Sequence, residues 1–339
     1  MKILSIIGTR PQYIKIKPFY NYCKRNRIEH KIVDTLQHYS DQVSKNIIED
    51  LDLKIDYKLQ LEKNEEISFI SETIVKLQRV LEKEKPDIIL VFGDTNSSFC
   101  AALTAYKMDI PIGHIEAGLR CGDFKVPEEI NRTFVDSVST WKFCSSPAAL
   151  ENIKNGIYCG DLEYELLKNI DPPIARGDYG VMTIHRQANC NVQRLMKILN
   201  FCKKIEKKIF FPVHHRIKNI ISELKVPKNV HIMESVCYNR MVELMSDSSF
   251  ILTDSGGIQK TSAFFGKPTV IFRKNIEWVE TEQLGFTKRF DLYDEEFLLG
   301  WIKKARLTPM KELYMNSGSP SKIIYETIRG SGSEGAFKE

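Results

Sequence analysis

The stretch Thr253-Asp254-Ser255-Gly256-Gly257-Ile258-Gln259 carries the clearest chemical signal in this chain. An apolar run, Phe250-Ile251-Leu252, precedes it, and a helix-compatible segment from Gln259 to Phe265 follows. Strand, tight glycine turn and helix start, in that order, make an anion-binding arrangement. Adjacent glycines admit close backbone approach, and the N–H groups of the first helical turn point at a phosphate. A glycine-containing turn with no ligand is the plain structural alternative for this stretch taken alone.

Other chemically equipped residues occupy comparable places. Gly8-Thr9-Arg10-Pro11-Gln12-Tyr13-Ile14-Lys15 follows the first apolar run and sets two cations, Arg10 and Lys15, beside a free helix start. That combination suits a diphosphate, although surface salt bridges account for either cation equally well. Asp94, after Ile88–Phe92, reads as an acid/base group or as the cap of the next helix. Glu116 stands just past the apolar run Ile112–Ile115, where a carboxylate loses water. Pro127-Glu128-Glu129-Ile130-Asn131-Arg132 places acids in the first turn of a helix. The macrodipole favours them there, which suffices to explain Glu129 and serves for Glu128. In the second half, His185 and Arg186 lie in Thr183–Asn189, and His214 and Arg216 in Phe211–Arg216, each group at the end of an apolar run. Acids from the first half with His/Arg from the second suit acid–base chemistry on an anionic substrate. The G-x-x-x-x-G-K-[ST], G-x-G-x-x-G and G-x-S-x-G patterns are all absent, which argues against a P-loop, a dinucleotide fingerprint and a hydrolase elbow. No H-x-x-x-H or Cys/His set suggests a metal.

These residues need a scaffold that gathers strand ends. Short apolar runs alternate with helix-length amphipathic segments: Ile3–Ile7, His30–Thr35, Ile88–Phe92, Ile112–Ile115, Lys142–Cys144, Gly180–Ile184, Lys208–Val213, Val230–Met233, Phe250–Leu252 and Thr269–Phe272. Between them, Glu66–Glu84 carries Ile67, Ile70, Ile74, Leu77, Val80 and Leu81 at helical spacing. This rhythm predicts α/β architecture with parallel sheets covered on both faces, whose ligands collect at the carboxyl ends of strands. Asp171-Pro172-Pro173 and Arg176-Gly177-Asp178 interrupt the pattern. The expected organisation is therefore two doubly wound, Rossmann-like domains, 1–165 and 178–315, with a central cleft, and a C-terminal helix at about 320–330 packing back on the first domain. Gly330–Glu339 reads as a frayed tail.

Composition agrees. A chain of 339 residues with 42% hydrophobic and 27% charged residues is that of a soluble globular protein. No apolar run approaches the ~20 residues that span a bilayer. The apolar start Ile3–Ile7 is too short for a signal peptide and reads as a strand. A net charge of +5 without a basic block suits a small anionic ligand and gives no indication of nucleic-acid binding. The eight cysteines include no C-x-x-C pair, which predicts free thiols in a reducing cytoplasm.

Taken together, Gly8-Thr9-Arg10-Pro11, Gln37-His38-Tyr39, Gly93-Asp94-Thr95, His114–Arg120, Pro127–Arg132, Thr183–Asn189, Pro212-Val213-His214 and Thr253–Gln259 resemble the non-hydrolysing UDP-N-acetylglucosamine 2-epimerase family. Arg10-Pro11-Gln12, Phe264-Phe265-Gly266 and Glu277-Trp278-Val279-Glu280 look most like a branch that includes UDP-2,3-diacetamido-2,3-dideoxyglucuronate 2-epimerases. The resemblance implies the two-domain GT-B fold and a cytoplasmic homodimer. It also implies conversion of UDP-GlcNAc to UDP-ManNAc for surface-glycan synthesis, without metal or nicotinamide. UDP would leave by anti-elimination, pass through a glycal and re-add. Carried over by position, Asp94, Glu116 and Glu128 become acid/base candidates, with His214 beside the leaving diphosphate. Arg10, Lys15, Arg132, His185, Arg186, Ser255, Gly256 and Gly257 become the UDP-binding set. The diacetamido-uronate epimerase and a GT-B glycosyltransferase are the alternative activities. Three departures stand out. Lys260 and Thr261 occupy the place where the family has a ribose-binding glutamate, a loss worth roughly 1.5–3 kcal/mol. Gln37-His38-Tyr39-Ser40 keeps only part of the family's activating-site pattern, which predicts weak or absent allosteric activation. The segment between Gly160 and Tyr179 is short for the family.

Overall fold

Burial along single strands explains why the sheets form as they do. Ile88-Ile89-Leu90-Val91-Phe92 is buried at every position, the continuous apolar pattern of a parallel strand covered on both faces. The computed structural model describes residues 1–37, 47–61, 65–168, 170, 177–309 and 318–330. The chain divides into two units, Met1–Asn169 with Glu312–Glu339, and Ile170–Lys311.

The first unit contains β1 (Lys2–Ile7), β2 (Glu29–Asp34), β3 (Tyr57–Lys58), β4 (Ile88–Phe92), β5 (Ile112–Ile115), β6 (Trp141–Cys144) and β7 (Gly156–Tyr158). Its parallel sheet runs β3-β2-β1-β4-β5-β6-β7. Chain order reverses between β1 and β4, which opens a crevice at their carboxyl ends. Helix Glu66–Glu84 buries Leu77, Val80 and Leu81 of the stripe expected from its spacing and half-buries Ile70 and Ile74, but Phe69 takes the buried place in its first turn and Ile67 is exposed. Helix Pro320–Gly330 packs on helix Arg10–Arg25, with the Tyr22 and Tyr325 rings 5.9 Å apart. Glu165 anchors its start, accepting from the Ser319 and Ser321 hydroxyls and from the Ser321 N–H at 3.3 Å.

The second unit contains β8 (Tyr179–Thr183), β9 (Lys208–Pro212), β10 (Val230–Met233), β11 (Phe250–Thr253), β12 (Thr269–Ile271) and β13 (Thr287–Arg289). The order is β10-β9-β8-β11-β12-β13, so this crevice lies between β8 and β11. Phe201, Phe211, Phe250, Phe272 and Phe290 dominate its core. Gly180 is required by that packing: a Cβ there would stand 2.2 Å from the Phe250 ring on the neighbouring strand.

The strands read from the sequence are all present. The short strands β3, β7 and β13 are not apolar runs and escaped that reading. His38, Tyr39 and Ser40, the Asp171–Arg176 break, Asn316, Ser317 and the tail after Gly330 lie outside the described residues. No helix among the described residues is long and apolar enough to cross a membrane. All eight cysteines are free thiols. Burial pushes those of Cys23, Cys100, Cys144 and Cys202 up to about 12, which makes them poor nucleophiles.

Candidate active site

In the first unit, the turn after β1 differs from its sequence reading. Gln12 plugs it: its side-chain oxygen accepts from the N–H of Gly8 at 2.8 Å and of Thr9 at 3.0 Å. The Gln12 amide nitrogen donates to Phe92 O at 2.6 Å and Thr95 Oγ1 at 2.8 Å, tying this turn to the one after β4. The expected open helix start beside Arg10 and Lys15 is therefore partly filled from within the chain. Arg10 stands at the first helical position, half-buried at the carboxyl end of β1. Lys15 reaches elsewhere, and its ammonium donates to Glu116.

Glu116 immediately follows β5 in the left-handed region, at φ +69°. Such strain in a non-glycine residue costs on the order of 1–3 kcal/mol and persists where surroundings over-determine it. The determinants are beneath it. His114, fully buried, bridges Asp136 Oδ1 through Nδ1 at 2.7 Å and Gly93 O through Nε2 at 3.1 Å. Asp136 also accepts from the Gly118 N–H at 3.2 Å and pairs with Arg120 at 2.7 Å. Burial would push the Asp136 carboxyl up, but His114 and Arg120 outweigh it and hold the group below the usual carboxylate range. Gly93 makes room in front: a Cβ there would lie 3.3 Å from Glu116 Oε2 and 4.0 Å from Lys15 Nζ.

Asp94 does not cap the following helix. Thr95 does, with Oγ1 accepting from the Ser98 N–H at 3.2 Å. The Asp94 carboxylate is paired with Arg132, whose Nε donates to Glu128 O at 3.2 Å. Asn131 donates to Asp94 O at 3.0 Å, so helix Pro127–Val138 holds the β4 turn by two adjacent side chains. Glu128 is half-buried in the first turn of that helix. Glu129, expected to stabilise its own helix start, instead ties down the preceding loop, accepting from the N–H of Cys121 at 3.0 Å and Gly122 at 3.2 Å. Two acids, Asp94 and Glu116, thus stand at the ends of neighbouring strands, each held by a cation.

In the second unit, Ser255 is the N-cap of helix Gly256–Phe264, its Oγ accepting from the Ile258 N–H at 3.4 Å. Gly256 and Gly257 open the helix, and the side chains of Arg273, Glu277 and Trp278 stand 3.4–3.5 Å from where a Gly256 Cβ would be. Asp254, entirely buried beneath the turn, accepts from the N–H of His185 at 3.1 Å and of Arg186 at 2.9 Å, and from Asn189 Nδ2 at 2.9 Å. The His185 and His214 rings are 6.0 Å apart, so both histidine clusters meet at the ends of adjacent β8 and β9. His214 also caps helix His215–Glu223, with Nδ1 accepting from the Arg216 N–H at 3.3 Å. Thr261 donates its hydroxyl to Gly257 O at 2.9 Å, and Lys260 is buried with its ammonium 5.1 Å from the Trp278 ring centre.

Sequence reasoning missed Gln12, Asp136, Asp254 and the pair Arg273–Glu277 beside the Ser255 turn. A polar residue directly abutting an apolar strand end was the available signal for Asp254; Asp136, mid-helix, gave none. Among the described residues, no group of three or more His, Cys, Asp or Glu is arranged to hold a metal ion.

Residues 21–324 match the family described as UDP-N-acetylglucosamine 2-epimerase. The UDP-N-acetylglucosamine 2-epimerase homolog of Methanococcus maripaludis is 34% identical over 359 residues, covering 97% of this chain and 99% of its own. The UDP-2,3-diacetamido-2,3-dideoxy-D-glucuronate 2-epimerase of Pseudomonas aeruginosa is 35% identical over 307 residues, covering 84% of this chain and 87% of its own. The crystal structure of Methanocaldococcus jannaschii UDP-GlcNAc 2-epimerase in complex with UDP-GlcNAc and UDP aligns with a TM-score of 0.83 at 29% identity, covering 97% of this chain and 100% of its own.

Proposed function

We infer from its membership of the UDP-N-acetylglucosamine 2-epimerase family, to which this chain belongs, that the protein is an enzyme interconverting UDP-GlcNAc and UDP-ManNAc. The observation that carries the chemistry is the pair of cation-held carboxylates, Asp94 and Glu116, on adjacent strand ends. Inversion at C2 requires a proton to leave one face of the ring and another to arrive on the opposite face, so one carboxylate does not suffice.

In the proposed reaction a carboxylate takes the C2 proton, and the electron pair forms the C1–C2 double bond. The C1–O bond breaks, and UDP departs with that bond's electrons. An acid then returns a proton to the other face of C2 while a UDP oxygen re-forms the bond at C1. Glu116, Asp94 and Glu128 are assigned the proton transfers, with Lys15 orienting Glu116 and Arg132 orienting Asp94. Ser255, Gly256, Gly257, Arg10, His185 and Arg186 are assigned to the diphosphate, and His214 to the leaving group. Fixed donors aimed at the developing phosphate charge lower the barrier most when water is excluded. The same reading makes the protein a cytoplasmic homodimer supplying surface-glycan synthesis; sedimentation equilibrium tests the dimer.

The test is incubation with UDP-GlcNAc in deuterated water, followed by proton NMR at C2. Formation of UDP-ManNAc with solvent deuterium at C2 is expected. The Pseudomonas aeruginosa relative motivates a parallel incubation with the UDP-diacetamido-uronate. Exchange only there would move the assignment to that substrate, and exchange with neither would overturn it.

A further inference from the structure

A single carboxylate grips the chain on both sides of Glu116. Two residues before it, the fully buried His114 ring places Nδ1 2.7 Å from Asp136 Oδ1. Two residues after it, the Gly118 N–H donates to Asp136 Oδ2 at 3.2 Å. Arg120 adds its guanidinium to the same oxygen at 2.7 Å. A glutamate in the left-handed region is unfavourable by itself and persists where flanking anchors impose it. Gly118 is confined from its other side, since it too has a positive φ and a Cβ there would stand 2.1 Å from Ala149 O.

The second nitrogen of His114 carries the hold to the neighbouring strand. Nε2 lies 3.1 Å from Gly93 O, and Gly93 is the residue that faces the Glu116 carboxylate and the Lys15 ammonium. Asp136 also shares helix Pro127–Val138 with Glu128, in its first turn, and with Asn131 and Arg132, which hold Asp94. Residues 128, 132 and 136 are four apart and follow one face of that helix. One helix therefore sets all three acids assigned to proton transfer in a common frame, with Asp136 as its link to Glu116.

We propose that Asp136 is a positioning residue for the epimerisation, fixing the left-handed turn at Glu116 through His114 and Gly118. This rests on the UDP-sugar reading above. Asparagine at this position would offer one acceptor oxygen where two are in use, so the hold on His114 or on Gly118 is lost. Two hydrogen bonds that do not involve Asp136 remain, from the Ala117 N–H to Phe143 O at 3.0 Å and from Asn152 Nδ2 to Gly118 O at 2.9 Å. The loop keeps its fold while Glu116 loses its fixed aim. Misplacing a reacting group by about 1 Å costs up to about 100-fold in rate.

A double-mutant cycle read by deuterium exchange at C2 of the UDP-sugar decides the matter. Asp136→Asn should lower kcat about 10- to 100-fold, while the Michaelis constant and the affinity for UDP by isothermal titration stay within about threefold of native. In a Glu116→Gln background the same substitution should cost less than about threefold more, because no carboxylate remains whose direction matters. A merely structural role would slow both backgrounds alike. Should Asp136→Asn fail to fold, His114→Gln, which leaves Asp136 with Gly118 and Arg120, should show the same split and the same non-additivity. Native kcat in the folded variant, or equal losses in both backgrounds, overturns the proposal alone. A native protein that exchanges C2 of neither UDP-sugar overturns the epimerase reading and this proposal with it.

Discussion

His185 Nδ1 lies 3.0 Å from Asp254 Oδ1, and the same carboxylate accepts the backbone N–H groups of His185 and Arg186. One buried acid therefore joins the turn after β8 to the turn after β11, the two strands that flank the crevice of the second unit. The loop carrying two candidate ligands is thereby registered against Ser255, Gly256 and Gly257. Because the donors include two backbone amides, the clamp sets loop geometry as well as side-chain direction.

The first prediction concerns Asp254→Asn. Burial alone would push the Asp254 carboxyl up, but the His185 ring, Asn189 and the Arg186 N–H prevail and hold it below its ordinary range. A carboxyl depressed in the folded state contributes stability above its unfolded pKa, and that contribution fades as pH falls through the folded value. At pH 7 the variant should lose about 1–3 kcal/mol, the cost of donors left poorly matched. The deficit should shrink in acid. Urea unfolding followed by tryptophan fluorescence at neutral and acidic pH measures it, and a deficit that grows on acidification would refute the sign.

Glu116→Gln tests the proton-transfer assignment. The amide keeps shape and can still meet Lys15, but it cannot take a proton from carbon. Deuterium exchange at C2 should fall by about 10²–10⁴-fold, the range for removal of a positioned acid or base. UDP affinity, read by titration, should stay near the native value, because the diphosphate is assigned to other residues. Turnover at the native rate would remove Glu116 from the mechanism.

Much of this arrangement was legible in the sequence, and what was not has a physical cause. Runs such as Ile88–Phe92 are buried throughout and announce themselves as strands, and the residues that follow them are at strand ends by construction. Asp94, Glu116, His185, His214 and Ser255 were found by that logic. Their partners were not, because hydrogen bonds such as Asp136 to His114, 22 positions apart, leave no local periodicity. The left-handed backbone of Glu116 was equally hidden, since glycine, Asn and Asp signal that conformation in a sequence and glutamate does not. Tyr57–Lys58, two residues long and half exposed, shows the same limit for an edge strand.

Glu84→Gln probes the opposite end of the first sheet. Glu84 is 6% exposed and receives Lys2 at 2.5 Å, Lys31 at 2.8 Å and the Tyr57 hydroxyl. The Lys2, Lys31 and Tyr57 hydrogen bonds draw its carboxyl down to about 2 from an ordinary 4.5. By the same linkage, the stabilisation is complete above about 4.5 and disappears as pH falls to about 2. Denaturant midpoints of native and Glu84→Gln protein should differ clearly at pH 7 and converge near pH 2. Catalysis should be unaffected, since Glu84 lies in the last turn of helix Glu66–Glu84, away from the strand carboxyl ends.

Gly93→Ala couples backbone and chemistry at one position. Gly93 has φ +63°, so any side chain carries the left-handed penalty of about 1–2 kcal/mol. The added methyl would also stand 3.3 Å from Glu116 Oε2, closer than ordinary packing, and 4.0 Å from Lys15 Nζ. The backbone cannot shift to make room. The Glu116 backbone is fixed by its own positive φ, and Gly93 O is held by His114 Nε2 at 3.1 Å. The carboxylate must therefore turn away from its working direction. A lowered melting temperature is expected, with kcat down about tenfold, equivalent to ~1.4 kcal/mol of barrier. The Michaelis constant should change much less, because the diphosphate contacts assigned to the second unit are untouched. A variant that lost stability but kept native kcat would show that Glu116 tolerates displacement, and would break the link between this glycine and the reaction.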